Sequence, residues 1–548
     1  MMAYRAALGA LLALGLSAPA LTSGLIDNVN GLTVGADGRI VRFDALLLDG
    51  EGRVEKRLQR DDKRPKQLDF RFDGKGRTLI PGFVDARTDV MRLAVSLLSL
   101  DLSAATSAQD AAARVSAYVA ASPGRRWILG FGWDGSRWAA PPTAAMLDAQ
   151  VADGPVWLVD ARGEQGWANS AALRLANITA TTTQPAGGKI VMAGGKPTGI
   201  LTGRAIDLME AAVPKPAPKD LDAAFLKAQA LFLSRGITAV GGMSTDIAAW
   251  QTLRRAGDRN ALRMRVVAYT ATVDDLPLVA GPQQTPWLYD GRLRLAGVAL
   301  NIDGSLAARR AWLAAPYADA AGESGTPLTF DTRLRNQMSR AAMDGFQIVL
   351  AAHGDRAVTE AASAIGEMTD TYRARIRWRI DGADIANATD LAGLPEGTSI
   401  VVEPGAIADG GALARARIGD ADTRAYGWKA VAEGRGGLAF SGRAPFTPLV
   451  PLEAIRLAIT RETPDGQPFA GWRPDQRLAF AQALRAATSG GAAALGADGR
   501  FGSLAPGEFA DFLLLDRDIE LAQPTEIAGT KIAETWIAGR KVVLEGKP

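Results

Sequence analysis

The most constraining feature of this sequence is a repeated order of helix, glycine and strand through its middle. Three such units occur: residues 221–235, Gly236 and 237–240; residues 332–344, Gly345 and 346–351; residues 421–433, glycines 434, 436 and 437, and 438–440. Glycine just after a helix adopts the left-handed conformation without steric cost, so each unit marks a turn from helix into strand. This alternation predicts an α/β fold with a parallel sheet, and 548 residues give room for a (β/α)8 TIM barrel. A doubly wound sheet is the alternative, disfavoured because no Gly-x-Gly-x-x-Gly opens a helix after the first strand.

Both ends of the chain carry short strand-like stretches instead of helices. Residues 26–79 alternate apolar runs with turns rich in Gly and Asp, and residues 512–515 and 534–543 follow a similar pattern. The stretch 185–218 is rich in Gly, Pro and Lys and breaks the central alternation. We interpret it as part of an insertion after the first barrel strand.

Residues 1–20 have the form of a secretory signal peptide. Met1 to Arg5 give a short basic start, residues 6–16 are apolar, and Ser17-Ala-Pro-Ala20 is an ending suited to cleavage. The apolar run is too short to span a bilayer comfortably, and no later segment approaches the required length. We therefore expect a cleaved signal and a periplasmic or secreted protein, with an uncleaved N-terminal anchor as the alternative.

The charge balance and two residue counts limit the chemistry. Lys and Arg total 62 against 59 Asp and Glu, and no basic run stands out, so nucleic-acid binding is disfavoured. Cysteine is absent, which excludes disulfides and thiolate sites. His353 is the single histidine. No mechanism that needs a pair of imidazoles is therefore open to this chain.

Eight short motifs recur in a recognisable order from about residue 40 to the end. They are Leu79-Ile-Pro-Gly-Phe-Val-Asp, Gly130-Phe-Gly-Trp-Asp, Asn169-Ser-Ala-Ala-Leu, Pro197-Thr-Gly-Ile-Leu, Asp303-Gly-Ser, Ala315-Pro-Tyr, Gly354-Asp-Arg-Ala and Gly502-Ser-Leu-Ala-Pro-Gly-Glu-Phe-Ala-Asp. In this order the chain resembles the amidohydrolase superfamily, specifically its amidohydrolase-3 branch with formamide deformylase-like enzymes. The resemblance implies a metal-dependent hydrolase with a TIM barrel and a small β-sandwich built from both chain ends. It places the sandwich at 26–80 and 496–548, and the barrel at 81–495 with an insertion around 130–218.

The residues that bind metal in this family are replaced here. The resemblance places the family's His-x-His pair at Arg87 and Asp89. At other family positions stand Ala299 for a bridging lysine, Ala351, Gly382 and Glu164 for histidines, and Arg443 for the catalytic aspartate. His353 lies two positions after Ala351, where the family usually has an aliphatic residue.

One histidine and two arginines cannot rebuild a binuclear hydrolytic site. Such a site uses several His and carboxylate ligands to convert water to hydroxide. A guanidinium does not ligate the ion and effectively never deprotonates. We therefore expect no metal and no cofactor. An oxygen-only Mg or Ca site from Asp89, Asp303, Asp381 and Glu403 is the alternative. It would require the arginine guanidiniums to point away from the site.

The altered positions converge on one end of the predicted barrel, because each lies at or just past a strand end: Arg87, Ala351, Gly382, Glu403 and Arg443. Three interpretations stay open. Arg87 and Arg443 pair internally with Asp89, Asp381 or Glu403; or they bind a carboxylate- or phosphate-bearing ligand; or Asp381 and Glu403 act as a metal-free catalytic acid–base pair.

Three further residues are candidates for ligand binding. Trp133 lies at the expected pocket entrance, Glu164 at a former histidine position, and His353 at a strand end beside Asp355, which could orient it. Core packing is the alternative for the tryptophan and the histidine.

The sequence thus predicts an exported amidohydrolase-like protein without the metal centre, a pseudoenzyme that binds a small anionic ligand or a protein partner. An active, metal-bearing relative is the expected kind of partner. The alternative is a hydrolase that acts on non-peptide carbon–nitrogen bonds of amides or cyclic amides through an atypical site. We expect no nucleic-acid partner and no membrane association beyond the export signal.

Overall fold

The computed structural model describes residues 23–543, except 122, 123, 125, 373–375, 420–423 and 435, and gives only the backbone of Arg137. The predicted signal peptide, residues 1–20, lies outside the described residues, as do residues 544–548 at the other end. Within the described part, no helix is both long and apolar enough to cross a membrane.

The centre of the fold is a sheet of eight parallel strands whose neighbours follow chain order. The strands are Phe83–Thr88, Ile237–Gly242, Arg265–Thr270, Leu293–Asn301, Gln347–Ala352, Trp378–Gly382, Ser399–Val402 and Gly437–Phe440. Helices cover the outer face, and side chains from different strands, such as Val84, Val267 and Val349, pack together inside. Gln347–Ala352, with the sequence QIVLAA, is therefore buried at every position. The predicted TIM barrel is confirmed.

The last strand returns to the first just beyond its end. The Arg443 N–H donates to the Arg87 carbonyl at 3.1 Å, and the Asp89 N–H donates to the Ala444 carbonyl at 3.0 Å. We call this junction the seam. It places Arg87 and Arg443 side by side although they are far apart in sequence.

Helices surround the barrel, and two of those described begin at an aspartate that caps the helix with its side chain, Val90–Ser96 and Ile247–Asp258. The helices are Val90–Ser96, Pro218–Ser234, Ile247–Asp258, Leu276–Val279, Asp331–Met343, Asp355–Tyr372, Ala388–Ala392, Ala412–Ile418, Trp428–Glu433, Pro451–Thr460, Phe480–Ala487 and Ser489–Ala494, with 3-10 turns at Pro404–Ile407 and Pro474–Gln476. Helix Ile247–Asp258 begins where the Asp246 side chain accepts the Ala249 N–H at 2.8 Å. Gly236 and Gly345 have φ values of 72° and 71°, so both adopt the left-handed turn that the sequence predicted. The helix predicted at 421–433 begins only at Trp428, after Gly427 at its N-cap: residues 424–427 are described and are not helical, and residues 421–423 lie outside the described set.

Strands from both chain ends form two further sheets. One joins Arg540–Lys541, Ile532–Ile537, Phe512–Leu515, Thr78–Pro81, Asn30–Val34 and Ile40–Phe43; the other joins Val54–Leu58, Ala45–Leu48, Gly24–Asp27 and Phe70–Asp73. A short helix, Pro524–Ile527, lies in the C-terminal part. Ile26 and Leu46 from one sheet share an apolar cluster with Leu79 and Phe512 from the other, so the arrangement is sandwich-like.

The chain between the first two barrel strands builds a sheet of its own. Its strands are Gly188–Ala193, Lys196–Gly203, Gln165–Ala168, Val156–Asp160, Ile128–Trp133 and Leu100–Asp101. Helices Ala108–Ala121, Ala144–Asp148, Ser170–Leu175 and Ile206–Glu210 and the turn Gly135–Arg137 accompany it. The sheet begins at Leu100, upstream of the predicted insertion around 130–218. Its loop near Gly163 contacts Phe446 beyond the seam, and so reaches the carboxyl end of the barrel.

Candidate functional site

Arg379 and Asp381 form a fully buried ion pair on the sixth barrel strand, Trp378–Gly382. Residues two apart on a strand share a face, and here the Arg379 Nε and Nη2 donate to the two Asp381 oxygens at 2.6 and 2.8 Å. Arg379 Nη2 also donates to the Ala86 carbonyl at 2.7 Å, while Nη1 has no acceptor among the described residues. Burial, the largest single influence, lowers the pKa of Arg379, but Asp381 and Tyr269 together outweigh it and raise that pKa. Both Asp381 oxygens are therefore occupied by one guanidinium.

Arg87 and Arg443, in contrast, have only loose carboxylate partners. The Arg87 Nε lies 3.6 Å from Asp381 Oδ2, and the Arg443 Nη1 lies 3.6 Å from Glu403 Oε2. These separations exceed hydrogen-bond length. The two side chains keep 19% and 29% of their surface exposed. Neither guanidinium donates a hydrogen bond to any residue in the described part of the chain, so both retain donors for another group.

The cluster carries more positive than negative charge. Arg87, Arg379 and Arg443 face the carboxylates of Asp381 and Glu403. Burial lowers the pKa of Arg87, Asp381 opposes this effect, and the nearby Arg443 and Arg379 add to it. Three guanidiniums against these two carboxylates leave about one excess positive charge when Asp85, a third acidic side chain beside them, is protonated, and one anion would then neutralise it.

Asp85 is a member of this neighbourhood that the sequence argument missed. Its side chain is 4% exposed, and its Oδ1 accepts the Arg87 N–H at 3.1 Å. Its Oδ2 has no hydrogen-bond donor among the described residues. Burial raises its pKa to about 7, opposed by backbone N–H groups of Gly442 and Arg87. The available signal was a single acidic residue inside the otherwise apolar run Phe83-Val84-Asp85-Ala86.

Asp89 does not join the cluster as an arginine partner. Its carboxylate accepts the Arg92 N–H at 3.0 Å and caps helix Val90–Ser96. Burial raises the pKa of Asp89 to about 6. The structure therefore gives Arg87 the partner Asp381, and Arg443 the partner Glu403.

His353 lies in a separate hydrogen-bonded group after the fifth strand, Gln347–Ala352. Its Nδ1 is 2.8 Å from Asp384 Oδ2, so Asp384 orients the ring, and the expectation that Asp355 does so is wrong. Asp355 instead accepts the Ala314 N–H at 2.9 Å. Gly382 has a φ of 109°, and a Cβ there would lie 2.8 Å from the His353 Nδ1. The glycine therefore makes room for the histidine.

Trp133 and Glu164 lie at a different cleft, of about 940 Å³, between the insertion and the segment around 307–310. Trp133 is only 1% exposed; its Nε1 donates to the Leu158 carbonyl at 3.2 Å and its ring stacks on Trp138. Glu164 accepts a hydrogen bond from the Ser305 hydroxyl. The tryptophan is thus a core residue at the cleft wall, and neither residue contacts Arg87 or Arg443.

The residues at this end of the barrel do not fit the metal centre that the resemblance implies. Among the described residues, no group of three or more His, Cys, Asp and Glu side chains is arranged to hold a metal ion. The four oxygen donors considered above have other roles: Asp89 caps a helix, Asp381 binds Arg379, and Glu403 faces Arg443. Asp303 accepts backbone N–H groups of His353, Gly354 and Trp312 at 2.8–2.9 Å. Its pKa is raised by burial to about 6.

Comparison with known proteins agrees with the fold and the motif order. The sequence profile described as "Amidohydrolase family" matches residues 72–543. The chain is 26% identical to Protein LONG AFTER FAR-RED 3 of Arabidopsis thaliana over 95% of this chain and 91% of the relative. It is 25% identical to an N-substituted formamide deformylase of Arthrobacter pascens, over 85% and 89%. A crystal structure of an uncharacterised metal-dependent hydrolase from Pyrococcus horikoshii shares the fold, with a TM-score of 0.76, 24% identity and coverage of 92% and 99%.

Proposed function

This chain belongs to the amidohydrolase family, and we propose that it binds a small carboxylate- or phosphate-bearing molecule at the barrel mouth instead of hydrolysing a substrate through bound metal. The observation that carries the proposal is the loose pairing of Arg87 and Arg443, each 3.6 Å from its carboxylate. Guanidinium donors left without acceptors in a partly buried site favour an anion that supplies oxygen atoms.

The charge of the surrounding residues supports the same ligand class. Arg379 is neutralised by Asp381 through two hydrogen bonds, so the excess positive charge falls on the partly exposed guanidiniums of Arg87 and Arg443. Phe446 lies 5.7 Å from the Arg443 guanidinium, measured to the ring centroid, and gives the site an apolar side. An anion with a small apolar body fits this combination.

Titration calorimetry of the purified chain with inorganic phosphate, acetate and benzoate tests the proposal. Arg87→Gln and Arg443→Gln should each weaken binding of the preferred anion about tenfold, because each removes a charge-assisted contact. Arg114→Gln is the matched control, since Arg114 pairs with Asp110 on the surface of the insertion. The proposal fails if none of the anions binds, or if the control weakens binding as much as the two site variants do.

We also propose a hydrolase as the second candidate function, because one relative is named as an N-substituted formamide deformylase. Glu403 and Asp85 would be the acid–base residues, since both line one cavity and the Asp85 pKa is raised by burial to about 7. Asp381 is less suited to this role, because Arg379 occupies both of its oxygens. This function would be supported if the chain hydrolyses a formamide, if the hydrolysis continues in the presence of chelators, and if Glu403→Gln abolishes it. Absence of hydrolysis by the parent chain would reject it.

We further propose that the protein is exported and that it acts through its ligand or through a protein partner. The signal-like residues 1–20 support a periplasmic or secreted protein, and cleavage after Ala20 would be seen by N-terminal sequencing of the mature chain. As a pseudoenzyme, the protein would act through its ligand or through a metal-bearing relative. Co-purification with such a relative from the native host would support the second route.

A further inference from the structure

A cavity of about 310 Å³ lies between the barrel wall and helix Pro451–Thr460, next to the seam. We call it the seam cavity. Its lining includes Asp85, Glu403, Phe440, Leu449, Ala454 and Leu457. It adjoins the proposed anion site, because Glu403 lines it and faces Arg443, but neither Arg87 nor Arg443 lines it. Its volume falls at the lower end of the range for small-molecule sites.

Three carboxyl groups and the hydroxyls of Ser441 and Thr447 line the seam cavity. Glu453 accepts two hydrogen bonds from Arg456, and both hydroxyls donate to backbone carbonyls. Asp85 and Glu403 are therefore the lining carboxyl groups with free acceptor capacity among the described residues. Asp85 is 4% exposed, and its Oδ2 has no donor among the described residues. That oxygen lies beside the cavity-lining Gly442, where a Cβ would be 2.9 Å from it. Glu403 Oε2 faces Arg443 at 3.6 Å, while its Oε1 accepts no hydrogen bond from the described part of the chain. A buried oxygen without a donor is costly, so the cavity favours an occupant that supplies N–H groups.

Most of the remaining wall of the cavity is apolar. Phe440, Leu449 and Leu457 are each less than 9% exposed and line it together with prolines of the segment after the last strand. A hydrated inorganic cation does not match such a wall, because Ca²⁺ and Mg²⁺ need about six oxygen ligands and only Asp85 and Glu403 offer carboxyl groups that Arg456 does not already bind. An organic cation satisfies both parts, with its charged head at the carboxyl groups and its hydrocarbon body against the wall.

We propose that the seam cavity binds a primary organic ammonium ion with a small hydrocarbon body, and that Asp85 and Glu403 hold the ammonium group. The three N–H donors of an ammonium head match two carboxyl groups with free oxygens. The two carboxyl groups also repel each other when ionised, and a cation between them removes that repulsion.

Calorimetry with benzylammonium tests the proposal, with benzyl alcohol and benzoate as probes of equal size and different charge. Benzylammonium should bind at least about tenfold more tightly than either, because only it makes charge-assisted hydrogen bonds to carboxylates. Asp85→Asn should weaken its binding about tenfold. Equal affinities for the amine and the alcohol would overturn the proposal.

Two alanine substitutions keep the test decisive if Asp85→Asn fails to fold. Ala454 is half-buried on helix Pro451–Thr460 and lines the cavity, so Ala454→Phe should fill it and abolish benzylammonium binding. Ala362 is a half-buried alanine on helix Asp355–Tyr372, and Ala362→Phe should leave binding unchanged. Ala454→Phe should also leave phosphate binding intact, which separates this proposal from that of the anion site. Unchanged amine binding in Ala454→Phe would refute it.

Discussion

Replacing Asp381 with asparagine should both destabilise the fold and tighten anion binding. Asp381 is the sole hydrogen-bonded carboxylate partner that the described residues give to Arg379, which is fully buried. Asparagine keeps the shape of the side chain but removes the negative charge. The amide oxygen of the asparagine can still accept one hydrogen bond, but Arg379 would face only neutral groups, such as the Ala86 carbonyl and the Tyr269 ring, 5.5 Å away.

The expected loss follows from leaving a buried cation without its counter-charge. Breaking a buried ion pair at one partner costs about 3–5 kcal/mol in free energy of unfolding. The loss should lie toward the upper part of this range, because the Arg379 Nη1 already lacks an acceptor among the described residues. Removing the Arg379 charge as well, in Arg379→Met with Asp381→Asn, should recover much of the loss.

Urea unfolding followed by circular dichroism measures this effect. The matched control is Asp319→Asn, because Asp319 also faces two guanidiniums, those of Arg309 and Arg417, but at the surface. Its effect should be much smaller, since solvent screens exposed ion pairs. Equal losses in Asp319→Asn and Asp381→Asn would refute the reasoning.

Phosphate affinity shows whether the charge of Asp381 also affects the anion site, in addition to stabilising the core. Asp381→Asn removes one of the two negative charges near Arg87, so the folded variant should bind inorganic phosphate more tightly than the parent. A variant that is less stable but binds phosphate with unchanged affinity would contradict the charge balance proposed for the barrel mouth.

Three other predictions follow from buried groups. Burial raises the Asp85 pKa from 3.8 to about 7, so the contribution of Asp85 to stability is complete below about pH 4 and is lost as the pH rises toward 7. Asp85→Asn should therefore reduce the fall in the urea midpoint between about pH 5 and 7.5. An identical pH profile in the parent and the variant would reject this. Asp511→Asn leaves Arg265, which is 0% exposed, without the carboxylate that binds it at 2.5 and 2.8 Å, so the free energy of unfolding should fall by about 3–5 kcal/mol in a denaturant titration. Gly382→His should lower the thermal midpoint without creating zinc binding by elemental analysis, because a side chain there collides with His353; stoichiometric zinc would disprove this.

The barrel was predictable because its evidence is local. Glycines such as Gly236 and Gly345 end helices for reasons of backbone sterics, and buried strands show as apolar runs within a few residues. The strand ends then fixed which residues converge, since parallel strands in a barrel present their carboxyl ends on one side. Arg87, Glu403 and Arg443 lie at or just past the ends of their strands in the structure, where the sequence predicts them.

Pairing within the site, in contrast, depended on the approach of distant strands. Arg87 and Asp381 meet across almost three hundred residues of chain, and no periodicity encodes that Asp89 turns away to cap its own helix. Tertiary approach also decides the partner of His353: its ring is oriented by Asp384, although Asp355 is closer in sequence. The sequence by itself determined the barrel and the loss of the family's metal ligands, because residue identity and local burial are written along the chain. Only the tertiary structure decided which charges are neutralised and which keep free donors or acceptors, because hydrogen bonding depends on distances of a few tenths of an ångström between separate strands.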